Sequence, residues 1–142
     1  MNKALDNTLK EKFSFLFRKP LIDRGCACGD GWFTLIFLAC NSIVVSARKA
    51  GIDKDSPEYP VMLQIKEKFG ALEMYCSGGE SIGKEIFAIT ATARRMSLEK
   101  CEICGEAGGE ITKPNGYIQT LCEKCEKLSS TPPTRGGDYS IS

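Results

Sequence analysis

Histidine is absent from the 142 residues. That removes the commonest general base, together with the Ser-His and Cys-His nucleophile pairs. Catalysis would have to rest on carboxylates, lysine or a metal, with Asp30 and Glu67 as one imaginable acid/base pair, and an enzyme is not the expectation. An excess of one charge is lacking too: 19 basic residues face 18 acidic ones. The broad basic field that drives nonspecific duplex binding is therefore missing. No secretory signal opens the chain, because MNKALDNTLKEKF is charged and helical in pattern, without an apolar centre. The longest uncharged stretch, Gly31 to Ala47, is 17 residues and contains Thr34, Asn41, Ser42 and Ser46. It falls short of a membrane span and reads as a buried core helix. The expected location is the cytoplasm.

Cysteine, by contrast, is abundant, with eight copies. In a reducing compartment their grouping points to metal rather than disulfides. Cys101-Glu-Ile-Cys104 and Cys122-Glu-Lys-Cys125 are two C-x-x-C pairs separated by 17 residues. Zinc is satisfied by four tetrahedral thiolates, and a two-residue spacer lets two sulfurs of one turn reach the same ion. Pro114-Asn115-Gly116 supplies a turn between short strands, so the second pair returns to the first. Two knuckles joined by a hairpin make a zinc ribbon with a structural Zn2+. Rubredoxin-like iron and a regulated disulfide are the alternatives. With its metal bound, the chain's net charge falls from +1 to about −1. Gly105 suits the left-handed end of the first knuckle, whereas Glu126 makes the second less regular. Cys40 and Cys76 read as small buried apolar residues. Cys26 and Cys28 fit the same description or a second soft-metal site, for which no partner pair is evident.

The rest of the chain predicts an α+β fold: two N-terminal helices, an antiparallel β-hairpin, a covering helix and the ribbon. Leu5, Leu9, Phe13, Leu16 and Phe17 give the first helix, capped by Asn2 and ended by Pro20. Asp30 precedes the apolar run as an N-cap, or alternatively as a catalytic or ligand-contacting group; Gly51 closes that helix. Val61, Leu63 and Ile65 alternate with Met62, Gln64 and Lys66, Phe69 continues the first set, and the hairpin turns near Gly70. Ile82, Ile86, Ile89, Ala93 and Met96 follow helical spacing. The expected division is 1–100 for the α+β core, 101–128 for the ribbon and 129–142 for a flexible tail.

Gly78-Gly79-Glu80-Ser81-Ile82-Gly83-Lys84 has the spacing of a phosphate loop. Glu85 stands where magnesium needs a hydroxyl, Glu80 lies inside the loop, and the preceding strand belongs to a hairpin rather than a parallel sheet. The stretch reads as a turn into a helix, with an anion at the helix start as the weaker alternative.

CGDGWF at 28–33, QIKEKFGAL at 64–72, and CEICG followed by GYIQTLCEKC carry a resemblance. The chain resembles a family of small proteins from tailed phages and prophages. Its members read C-G-D-G-W, then Q-V-K-E-K-F-G-G-L-R-F-Y, then C-E-x-C-G and G-W-x-x-T-L-C. The likeness covers residues 1–126, and the motifs are specific for membership rather than activity. The family's glycine, arginine and phenylalanine after K-E-K-F-G are here Ala71, Glu73 and Met74, so no arginine role passes to Glu73. Cys125 stands where relatives often use histidine, and Tyr117 replaces a tryptophan. The resemblance implies a phage accessory protein in a bacterial cytoplasm, of the kind that counters host defences or redirects host transcription.

Two functions are expected on these grounds. The first is a non-catalytic binder that sequesters a nucleotide-derived immune signal, as a possible homo-oligomer. Lys66, Lys68, Arg94 and Arg95 would hold phosphate, and Trp32 or Tyr75 would stack on a base; taken singly, the four cations read as solvated strand and helix faces. The second is a zinc-ribbon adaptor for a host protein or nucleic acid. Lys100, Lys113, Lys124 and Lys127 decorate the ribbon, but six glutamates cancel their field, which favours protein over DNA.

Overall fold

The computed structural model describes residues 1–18 and 24–130. Helix α1 spans Lys3–Lys12, and Asn2 caps it by accepting the Leu5 amide at 2.9 Å. The helix stops at Phe13, short of Pro20, which lies outside the described residues. Phe13, Leu16 and Phe17 enter the core from turns instead of a helical stripe. The Leu16 carbonyl accepts the Met62 amide at 2.8 Å, which ties this segment to the first strand. Asp6 is buried and takes the Cys26 amide at 3.0 Å, with Lys10 at 2.9 Å. Burial opposes its ionisation, yet Lys10 and the Cys26 amide hold its carboxyl below the usual range.

A 3-10 turn, Asp30–Trp32, leads into helix α2, Phe33–Lys49. Leu35, Ile36, Ala39, Cys40, Ile43 and Ala47 are its buried residues. By length and composition Asp30–Lys49 could cross a membrane, but this apolar face packs into the protein core. Gly51, at φ 71°, closes the helix, its amide donating to the Arg48 carbonyl at 3.0 Å. Asp30 does not cap α2. Its carboxylate instead accepts the Asn2 backbone amide at 2.6 Å and the Asn2 side chain at 2.9 Å. It thereby holds the residue that caps α1, and α2 begins without a side-chain cap.

Strands β1 (Val61–Lys68) and β2 (Ala71–Ser77) form the antiparallel hairpin. Simple alternation along β1 fails at one point. The register shifts between Met62 and Gln64, so Leu63 bulges outward and Met62 joins Ile65 in the core. Leu63 is exposed by this bulge and Phe69 by its place in the turn, both contrary to the period-two reading. Phe69 and Gly70 both have positive φ, the geometry of a two-residue hairpin turn.

Helix α3, Gly83–Ser97, packs on α2 and β2. Ile86 and Ala93 are buried and Ile89 partly so, while Met96 is 44% exposed. The Ser97 hydroxyl accepts the Leu72 amide at 2.9 Å, anchoring the helix end to β2. At the glycine loop, Gly78 and Gly79 adopt positive φ. The Gly79 amide is engaged by the Glu58 carbonyl at 2.6 Å, so the loop builds a turn against residues 58–60.

An L side chain at φ 52° is strained by about 1–3 kcal/mol, and Phe69 is 72% exposed, so little packing is lost on replacing it. Phe69→Asn is expected to stabilise the fold by about 1 kcal/mol, read as a higher urea midpoint. The slope against urea should stay unchanged, and a lower midpoint would refute the strain.

Candidate metal centre and the seam beneath it

Cys101–Gly105 forms a tight loop in which the Gly105 amide bonds the Cys101 carbonyl at 2.9 Å. Gly105 sits at φ 82°, the left-handed position expected after the first pair. Strands β3 (Gly109–Thr112) and β4 (Ile118–Leu121) pair antiparallel, and the connection turns at Pro114-Asn115-Gly116. The second pair departs from the ribbon expectation. Cys122 precedes a fourth helix, α4 (Glu123–Ser130), and Cys125 lies in its first turn. The Cys122 sulfur accepts the Cys125 amide at 3.4 Å, as an N-capping atom would. Glu126 is helical, which is why it need not be glycine. The helix also reaches past residue 128, so the expected tail boundary at 129 falls inside it; residues 131–142 lie outside the described residues.

The four sulfurs converge within 4.8 Å of one another, with Cys104 and Cys122 at 3.6 Å. A tetrahedron with metal–sulfur bonds of about 2.3 Å has edges of about 3.8 Å. The cluster therefore fits one metal ion held by Cys101, Cys104, Cys122 and Cys125. Burial raises the Cys101 thiol, but amides of Cys104, Cys122 and Ile103 aimed at its sulfur bring it down to about 7. Burial and the neighbouring sulfurs push the Cys125 thiol up. A divalent cation at the centre reverses that second effect by replacing repulsion with attraction.

Beneath the metal loop runs a seam with the α+β core. The Gly31 amide donates to the Glu102 carbonyl at 2.7 Å, and the Gly29 amide to the Glu102 carboxylate at 2.9 Å. A Cβ on Gly31 would lie 2.1 Å from the Cys101 carbonyl oxygen, and one on Gly29 would lie 2.3 Å from that of Glu102. Only glycine permits this approach. Trp32 is fully buried, and its indole donates to the Lys100 carbonyl at 2.8 Å. The Thr120 hydroxyl donates to the Gly70 carbonyl at 2.6 Å, joining β4 to the hairpin turn. Burial pushes the Glu102 carboxyl up, with the Gly29 amide opposing and Glu67 adding to the rise. The structural parts played by Glu102 and Thr120 escaped the sequence reading. A glutamate between two ligand cysteines was the available signal, but charge alone suggested solvent.

The six residues expected to grip a nucleotide do not form one site. Trp32, buried against Lys100, cannot stack on a base. Arg94 is bound to Glu73 at 2.8 Å. Lys66 lies 5.8 Å from the Tyr75 ring and opposite Glu73 in the ladder. Lys68 and Arg95 are exposed. Cys26, Cys28 and Cys40 are buried in the core, and Cys76 is half-buried beside it; none belongs to a converging ligand set among the described residues. Of the imagined acid/base pair, Asp30 is bound to Asn2 and Glu67 accepts the Gly70 amide at 2.7 Å.

Gly31→Ala is expected to cost about 3 kcal/mol by forcing the seam apart. Gly83→Ala, where a Cβ meets nothing within 4 Å, should be neutral or stabilising by up to about 1 kcal/mol. Equal denaturation midpoints for the two variants would show that the seam carries no constraint.

No family model, curated protein or solved structure matches this chain.

Proposed function

We propose that the chain is a non-catalytic binding protein, stapled by one structural zinc ion, that engages a protein of a bacterial host. Zinc is the reading because four thiolates form a soft tetrahedral set without carboxylate or carbonyl donors. All four positions are protein ligands, so the ion's part is to hold the fold. The phage resemblance in residues 1–126 supplies the context, a cytoplasmic accessory protein directed at host defence or transcription machinery. The observation that carries protein binding is an open groove of about 260 Å3 between α2 and α3. Leu35, Ala39, Ile89 and Ala93 line it, with Leu38 at 54% and Met96 at 44% exposure on its walls. An apolar groove rimmed by such side chains suits an apolar helix or loop of a partner. The nucleotide-sequestering reading keeps one supporting observation, the Lys66–Tyr75 contact on the outer hairpin face beside Lys68.

Purified protein is expected to hold one zinc per chain, and a strong chelator should redden Trp32 emission as the metal loop loosens. Leu38→Asp with Met96→Asp should abolish capture of the host partner while shifting stability by less than about 1 kcal/mol. Lys66→Ala with Lys68→Ala should leave that capture intact. Depletion of a cyclic nucleotide or NAD-derived signal from a filtrate, with its intact return after heating, would favour the second reading instead.

A further inference from the structure

The eight cysteines fall into two groups by place. Cys26, Cys28 and Cys40 are buried in the α+β core and Cys76 is half-buried beside it, so none of these four is open to solvent. The metal-site sulfurs form the other group, and they are unequally covered. Cys101 is 0% and Cys125 5% exposed, whereas Cys122 is half-buried and Cys104 open to solvent. Cys104, Cys122 and Cys125 line one open cleft with Glu106, Glu123 and Lys124, and Cys104 is the most exposed of the three. Their sulfurs stand 3.6 Å apart, and they come from different C-x-x-C pairs. A disulfide between them requires closure to about 2.05 Å.

We propose that Cys104 is an oxidation site for hydroperoxides, and that its disulfide with Cys122 releases the metal. This rests on the zinc reading above. The Cys104 thiolate attacks one peroxide oxygen: an S–O bond forms, the O–O bond breaks, and hydroxide leaves and is neutralised by a proton from the buffer. The sulfur loses two electrons and the peroxide gains them, giving a sulfenic acid. The Cys122 thiolate then attacks that sulfur: the S–S bond forms, the S–O bond breaks, and a second hydroxide leaves and is protonated. In sum, two thiolates, one hydrogen peroxide and two protons give one disulfide and two waters. The metal retains only the buried pair Cys101 and Cys125, half of its four-ligand set. Because the Cys101 loop forms one side of the seam, its loss of metal also reaches Trp32, the chain's single tryptophan.

The test uses the full chain as purified. Metal content is measured first, then hydrogen peroxide is added while released zinc and Trp32 emission are followed. Cleavage after glutamate places each ligand on its own peptide: 100–102, 103–106, 111–123 and 124–126. The expected result is one metal released per disulfide formed, a red shift of Trp32 emission, and a bond joining 103–106 to 111–123. Cys76→Ser should change none of this. Cys104→Ser should slow release at least about tenfold; if that variant fails to hold metal, the peptide map of the unmodified chain decides. Protein purified without metal overturns the zinc reading and this inference together. Metal-loaded protein that keeps its ion in about tenfold excess of peroxide, or forms any other disulfide, overturns the inference alone.

Discussion

Two stretches of backbone, residues 29–32 and 101–105, lie so close that no side chain fits between them at Gly29 or Gly31. Everything around the metal centre depends on that approach. The amides of both glycines are satisfied by Glu102, one by its carbonyl and the other by its buried carboxylate. Trp32 then reaches across to Lys100, and Thr120 reaches across to Gly70. Buried polar groups without partners cost free energy, so these bonds specify one docking position for the metal loop. The three motif stretches, distant in sequence, belong to this single contact region.

The seam also bears on how residues 101–130 stay folded. Their own buried apolar set is small: Cys101, Leu121 and Cys125, with Ile103, Ile111 and Cys122 partly covered. A core of that size does not outweigh the entropy of ordering the chain unless a metal or a larger body helps. Here four converging cysteines offer a metal site on one side, and the α+β core supplies the larger body on the other. The boundary drawn at residue 100 is therefore a change in composition more than a physical division. Lys100 itself bridges to Ala107 across it.

Charge on the hairpin face is largely answered from within. Glu73 takes Arg94, and Lys66 sits over Tyr75. Such exposed pairs contribute little to stability, but they leave fewer cations ready for a phosphate. The α2–α3 groove differs, because its apolar walls meet water instead of each other. That contrast is the ground on which a protein partner is proposed rather than a small anionic ligand.

The sequence by itself determined the elements whose signals are local. Spacing alone picked out the four cysteines that converge, the Pro114-Asn115-Gly116 turn, the hairpin turn at Gly70 and the Asn2 cap, since each depends on residues a few positions apart. Only the tertiary structure decided the rest. The Leu63 bulge reversed the face of part of β1, because register depends on what lies opposite as well as on alternation. Asp30 left its own helix to hold Asn2, and Trp32 turned from a candidate stacking surface into a buried strut. Helix α4 replaced a second knuckle because the Cys122 sulfur can cap it, a choice C-x-x-C spacing leaves open. The outcomes at Asp30 and Trp32 rest on partners 28 and 68 positions away, and pairings at that range are fixed by packing and shared hydrogen bonds rather than by local propensity.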